Sequence, residues 1–216
     1  VDKKNIKLVG NIMIDTLQSN INKANKNIIA NIISQNILKG QLFNEINFND
    51  SFGLLTLHRP SNVDDEKILR SIIELFLNKI SSKLPIIWPI HPRTYKQLDR
   101  YSLLDELINS KKIILLSPLN YTNMLKLNIE SKVMFTDSGG IQEECTILKT
   151  PCLTLRLNTE RPITLKKNGG VCTLVGNNID IINNEFEKVL HSSIVSRIPE
   201  YWDGKTSLRC LNAIIE

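Results

Sequence analysis

The sequence has 216 residues, 42% hydrophobic and 23% charged, a balance that supplies a buried core and excludes a disordered chain. Its 27 basic and 22 acidic residues are spread along the whole chain without a dense basic tract, so the net charge of +5 describes a mildly basic solvated surface and argues against nucleic-acid binding. Cys145, Cys152, Cys172 and Cys210 form no C-x-x-C pair and no histidine cluster accompanies them, which argues against a zinc site or a disulfide framework, and no apolar run approaches the ~20 residues needed to cross a bilayer.

The opening Val1-Asp2-Lys3-Lys4-Asn5 lacks the character of a natural start and suggests a piece of a longer polypeptide, while reduced thiols and the lack of a signal peptide suggest a cytoplasmic one. Ile14, Leu17, Ile21, Ala24, Ile28, Ile32 and Ile33 recur at three and four residues and predict one long helix or a bent pair over 11–38, stopped at Gly40. Phe52–Leu57 reads as a strand ended by Pro60, and Asp64 and Asp65 as caps for a helix whose core face is Ile68, Ile72, Leu75 and Phe76. Strands follow at Ile86–Ile90, Ile113–Leu116, Val133–Thr136, Cys152–Leu155 and Val171–Val175. Between and after them, helices are expected at Thr94–Leu104, Tyr121–Leu127, Gly140–Leu148, from near Arg161, at Ile179–Leu190 and at Tyr201–Ile215. Short apolar strands alternating with amphipathic helices give an α/β class, a Rossmann-like parallel sheet with helices on both faces.

In such a sheet ligands lie beyond the carboxyl ends of the strands, and the polar clusters fall there: His58-Arg59, His91-Pro92-Arg93, Asp137-Ser138-Gly139-Gly140 and Thr159-Glu160-Arg161-Pro162. Two glycines at a strand-to-helix turn let a phosphate approach the N–H groups of a helix start, although neither Walker A nor G-x-G-x-x-G spacing is present. Capping by Asp137 or Ser138, with Gln142 and Glu143 complementing the positive helix end, is the plainer reading of the same stretch. One turn on, Glu144 could accept two hydrogen bonds from the vicinal diol of a ribose, or be solvated. Arg161 offers a planar fork to an anion or a surface ion pair to Glu160. Arg59 and Arg93 could neutralise phosphate or meet a carboxylate, His58 and His91 occupy matched strand ends, and Asp15 and Asp105 carry no signal separable from surface charge.

Five segments, Val9–Asp15, Leu55–Asp64, Pro89–Pro92, Thr136–Glu144 and Thr159–Pro162, resemble in sequence and order the C-terminal half of the non-hydrolysing UDP-N-acetylglucosamine 2-epimerases. The resemblance implies the second domain of a glycosyltransferase-B-type architecture. Residues 1–40 would then lead from a first domain, 41–195 form the UDP-binding domain, and 196–216 form a helix packing back towards that first domain. It implies that Ser138, Gly139 and Gly140 hold the UDP phosphates, that Glu144 binds the ribose hydroxyls, that Arg161 faces the diphosphate, and that His58 serves catalysis near phosphates and sugar.

The implied reaction removes the C2 proton of the sugar, expels UDP and re-adds it after reprotonation on the opposite face, interconverting UDP-GlcNAc and UDP-ManNAc. No cofactor or metal is implied. The acid–base carboxylates belong to the first domain, so the 216 residues alone are expected to bind UDP with little turnover, and a homodimer is the common family state. Arg59 and His91 match residues that bind an activating second UDP-GlcNAc in some members, but Pro60-Ser61 replaces the usual Arg-Glu pair, which weakens the case for regulation. Met124 stands where many members have an aromatic near the uracil, and Ile163 where glutamate is usual. A hydrolysing epimerase releasing ManNAc and UDP, a retaining glycosyltransferase and a non-catalytic UDP-binding module are the competing readings.

Overall fold

A computed structural model describes residues 2–41, 51–193 and 195–215. Helix α1 (Ile12–Asn25) is capped by Asn11, whose side chain accepts from the Met13 N–H, and α2 (Ile29–Asn36) follows, so the long periodic stretch is a bent pair. Six strands then alternate with helices: β1 (Gly53–Thr56), α3 (Pro60–Val63), α4 (Glu66–Leu75), α5 (Ser81–Lys83), β2 (Ile86–Pro89), α6 (Pro92–Arg100), α7 (Leu104–Ile108), β3 (Ile113–Leu116), α8 (Tyr121–Glu130), β4 (Val133–Thr136), α9 (Gly139–Leu148), β5 (Cys152–Thr154), β6 (Cys172–Leu174), α10 (Ile179–His191) and α11 (Thr206–Ile215). A π-helical stretch, Phe76–Ile80, joins α4 to α5.

All strand pairs are parallel, in the order β3-β2-β1-β4-β5-β6. Alternate side chains feed two cores. Leu55, Trp88, Leu115, Phe135 and Leu153 pack with residues of α4, α6, α7 and α10, while Leu54, Ile87, Ile114, Met134 and Cys152 pack with residues of α2, α8 and α9. Burial on both faces explains why the strands read as unbroken apolar runs. The β3 edge is shielded by Gln41, whose amide donates to Ile113 O at 2.7 Å and accepts from Leu115 N at 2.8 Å. Ile14, Leu17, Ala24, Leu125 and Trp202 form a third cluster, in which α1 lies against α8.

Three expected helices differ. The run from Thr94 to Leu104 is two helices, because Ser102 takes a left-handed φ of 55° between them. No α-helix follows Arg161; two 3-10 turns, Pro162–Thr164 and Lys166–Asn168, end at Gly169 with φ 91°, too few residues for a helical nucleus to propagate. The last helix starts at Thr206, not Tyr201, since Tyr201 and Gly204 both have positive φ. Asp65 caps α4 through the Lys67 and Ile68 N–H groups, whereas Asp64 is taken by Arg93 and Gln97. Among the described residues no helix is long and apolar enough to cross a membrane. The segment boundary expected at residue 41 adjoins 42–50, which lie outside the described residues.

Candidate functional site

Strand β1 lies between β2 and β4, so the chain winds away in opposite directions on its two sides, and the loops leaving β1 and β4 diverge. Such a switch point opens a crevice at the carboxyl edge of a parallel sheet. Thr56 and Thr136 are register partners there, with their hydroxyls 2.8 Å apart, and the Ser138 N–H donates to the Thr136 hydroxyl at 3.0 Å. The two strand ends are thereby tied just before the polar loops begin.

Asp137, the next residue after β4, is fully buried and anchors the β1 loop. Its carboxylate accepts from the backbone N–H of His58 (3.0 Å) and Arg59 (2.9 Å) and from the Asn62 amide (3.0 Å), and it pairs with His58 Nδ1 at 2.9 Å. Burial alone would raise its pKa; the His58 ring, the Arg59 N–H and the Asn62 amide outweigh that and hold it below the ordinary carboxylate value. Asp137 therefore does not cap α9, contrary to one sequence expectation. The other is overturned too: Ser138 stands at the N-cap position without a side-chain cap hydrogen bond.

The first N–H groups of α9 thus lack a side-chain cap at a positive helix end. The two glycines there have different reasons. A Cβ on Gly139 would meet Glu160 Oε1 at 2.9 Å, whereas one on Gly140 would meet nothing within 4 Å. Gly139 has the movable tip of the Glu160 side chain against it, and Gly140 faces open space.

Arg161 does not form the side-chain pair with Glu160 that was one of its two readings; its Nε lies 2.8 Å from Oε1 of Glu143. Glu143 is nearly buried, and burial raises its pKa against the opposing pull of Arg161. Glu160 instead meets Arg156 at 2.7 Å and Arg59 at 3.7 Å. Its own backbone N–H and the guanidinium of Arg156 are among the groups holding its carboxyl below the ordinary value. Gln142 turns its amide to Ser138 O and accepts from the Thr159 hydroxyl at 2.8 Å, so the α9 start and the loop after β5 are one hydrogen-bonded unit.

Glu144 is 8% exposed, which overturns the solvated alternative. Burial pushes its pKa up, offset in part by the Tyr121 phenol beside it. Burial and the Glu144 charge push the Tyr121 phenol well above its usual value. His91 caps α6, its Nδ1 accepting from Arg93 N at 3.1 Å, and its ring lies 5.3 Å from that of His58. Burial, then the neighbouring His58 and Arg93, hold its pKa below the ordinary value. Arg93 meets a carboxylate, Asp64, through its Nε at 3.0 Å.

The structure therefore brings His58, Arg59, His91, Ser138, Gly139, Gly140, Glu144 and Arg161 to the carboxyl edge of one sheet. An open cavity of about 430 Å³ shares only Arg59 with them and is lined otherwise by residues such as Asn62, Arg156, Asn158 and Gly176. Sequence reasoning missed Asp137 as an anchor, together with Asn62, Tyr121, Glu143 and Arg156. Of these, Asn62, Asp137 and Glu143 lay inside recognised segments, whereas Tyr121 and Arg156 had no signal.

A family model described as UDP-N-acetylglucosamine 2-epimerase matches residues 1–215. The UDP-N-acetylglucosamine 2-epimerase of Methanococcus maripaludis is 38% identical over 216 residues, covering 99% of this chain and 56% of that protein; the one from Methanocaldococcus jannaschii is 36% identical over 215, with the same coverage. The crystal structure of the M. jannaschii UDP-GlcNAc 2-epimerase in complex with UDP-GlcNAc and UDP superposes with a TM-score of 0.80 at 34% identity, covering 98% of this chain and 56% of that one. The chain thus spans about half the length of the relatives it matches, and its parallel sheet is one half of a glycosyltransferase-B-type fold. With the motif order, the sheet and the edge loops all agreeing over nearly every residue, the chain belongs to the UDP-N-acetylglucosamine 2-epimerase family.

Proposed function

We propose that this chain is the C-terminal, nucleotide-holding half of an enzyme that interconverts UDP-GlcNAc and UDP-ManNAc. The observation that carries the reading is the α9 start: a helix end without a side-chain cap, opening at Gly140 onto free space, with Arg161 on one side and Glu144 one turn further in. The N–H groups of Gly139 and Gly140 and the hydroxyl of Ser138 hold the diphosphate, whose charge complements the helix end. Arg161 adds a guanidinium to the same charge, and Glu144 accepts from the ribose diol at the distance a helical turn provides.

This arrangement serves a reaction in which the C2 proton is removed and the C1–O bond to UDP breaks. The C2–H electron pair becomes a C1–C2 double bond and the C1–O pair goes to the departing phosphate oxygen, so donors fixed around that oxygen stabilise the charge that develops. His58 is a further donor at that end of the crevice. Re-addition of UDP after C2 is reprotonated on the opposite face completes the epimerisation. The carboxylates that move the C2 proton belong to the other half of the enzyme. UDP and UDP-GlcNAc are the ligands, that other half is the partner, and two copies form the active assembly. Arg59 and His91, occupied here by Glu160 and by the α6 cap, are the positions from which a second nucleotide sugar would be sensed.

Calorimetric titration tests the reading. UDP binds this chain more tightly than UMP, Glu144→Ala and Arg161→Ala each weaken UDP by about tenfold or more, in keeping with loss of a charge-assisted contact, and no epimerase turnover accompanies binding. Equal affinity for UMP and UDP, or UDP binding indifferent to both substitutions, would refute it.

A further inference from the structure

His58 is one of only three histidines, and its ring is held by Asp137, a residue whose sequence context suggested a helix cap. Its Nδ1 lies 2.9 Å from Oδ1 of Asp137, while Oδ2 of the same carboxylate takes the Arg59 N–H at 2.9 Å, the Asn62 amide at 3.0 Å and the His58 N–H at 3.0 Å. Oδ2 is filled by loop donors, while Oδ1 faces the imidazole and takes only a longer share, 3.2 Å, of the His58 N–H. A carboxylate can only accept, so the nitrogen facing it carries the hydrogen. The side chain is about one-third exposed, and Nε2 is the nitrogen not engaged by Asp137.

The geometry points to Asp137 as the positioning residue for His58, holding Nδ1–H inward and leaving Nε2 as the atom presented at the crevice. The carboxylate is suited to the task. It is fully buried, it stays ionised under the donors that surround it, and it is itself immobilised by three bonds to the loop that carries His58. Ring and carboxylate come from the ends of β1 and β4, the two strands on either side of the switch point, so closing that seam and orienting the imidazole are one event. When His58 also carries a proton on Nε2, the Asp137 charge compensates it, and Nε2–H becomes the donor to the phosphate oxygen that departs as C1–O breaks. That last step rests on the nucleotide reading above; the tautomer does not.

His91 supplies an internal control. Its Nδ1 accepts from the Arg93 N–H, so its neutral ring must carry the hydrogen on Nε2, opposite to His58. Long-range ¹H–¹⁵N spectra of the ¹⁵N-labelled chain read both directly. Expected are a neutral His58 protonated on Nδ1, a neutral His91 protonated on Nε2, and a UDP-dependent shift at His58 Nε2 with His91 Nδ1 unmoved. In Asp137→Asn the amide oxygen keeps the loop donors and its NH₂ faces His58, so the His58 tautomer inverts, a change that a loop-anchoring role alone would not cause. A neutral His58 protonated on Nε2 in the unsubstituted chain overturns the assignment, as does a folded Asp137→Asn chain with an unchanged tautomer. If that variant does not fold, the unsubstituted spectrum decides alone. A chain with the expected tautomers that fails to bind UDP sinks the nucleotide reading and leaves the Asp137 assignment standing.

Discussion

Gly139 and Gly140 are adjacent and chemically identical, yet they answer to different constraints, and this separates fold from function at a single residue. A methyl at Gly140 meets no protein atom and replaces a flexible residue in a helical turn, so Gly140→Ala should leave the melting temperature unchanged or raise it, by up to about 1 kcal/mol in stability. The same methyl occupies the space where a phosphate would lie against the helix start. UDP affinity should fall by about tenfold or more, as expected for loss of a charge-assisted backbone contact. A variant that binds UDP as before would show that the nucleotide does not approach this turn. The paired glycines were legible in the sequence because a strand-to-helix turn rarely needs two. What was not legible was the partner of each polar side chain. Arg161 had Glu160, its neighbour in sequence, as the candidate protein partner but meets Glu143 on the adjoining helix; Asp137 looked like a helix cap but serves a loop 78 residues away. Spacing along the chain reports local partners, and these contacts are made between strand ends.

Among the elements, α11 shows how a residue without any sequence signal can hold a helix. Asp15, on α1, accepts from the Thr206 and Ser207 N–H groups at 3.0 and 2.8 Å, capping α11 from another helix. Burial works to raise its pKa, but those donors hold it below the ordinary carboxylate value. A lowered folded-state pKa means the cap is fully present above the unfolded value and is lost as pH falls through the folded one. Asp15→Ala should cost about 1 kcal/mol, as cap removal does elsewhere, with faster hydrogen exchange confined to α11. Exchange unchanged there, or raised throughout the chain, would contradict a local cap. The strands and most helices could be read from periodicity because their burial is regular. The breaks at Ser102 and Tyr201 could not, since neither residue type announces a left-handed backbone.

Across the molecule, stability and ligand binding pull in opposite directions at α9. Glu144 is buried with a raised pKa, so ionising it destabilises the folded chain: stability falls as pH rises from the unfolded value of the carboxyl towards its folded one. Asp137 has the opposite sign, its contribution being lost as pH falls through a lowered folded value. Glu144→Gln should therefore raise the melting temperature at neutral pH, with the gain vanishing in acid where Glu144 is already protonated, while UDP binding weakens. A melting temperature that drops at neutral pH would show that the charge is fully compensated by its surroundings, the Tyr121 phenol among them. The number of strands and the parallel class were legible from alternating apolar runs. Their lateral order was not, because periodicity says which face a residue takes and nothing about which strand lies alongside.

That order also fixes when the crevice can exist. Strands β1, β2 and β3 can assemble as the chain emerges from a ribosome, since each pairs with the next in sequence. The second neighbour of β1 is β4, so an elongating chain that has not yet reached Val133 carries β1 as a bare, apolar sheet edge. His58 waits there without its carboxylate until Asp137 has been synthesised, which makes the interval between those two residues the stretch of translation in which the nascent chain most needs protection from pairing with the wrong strand.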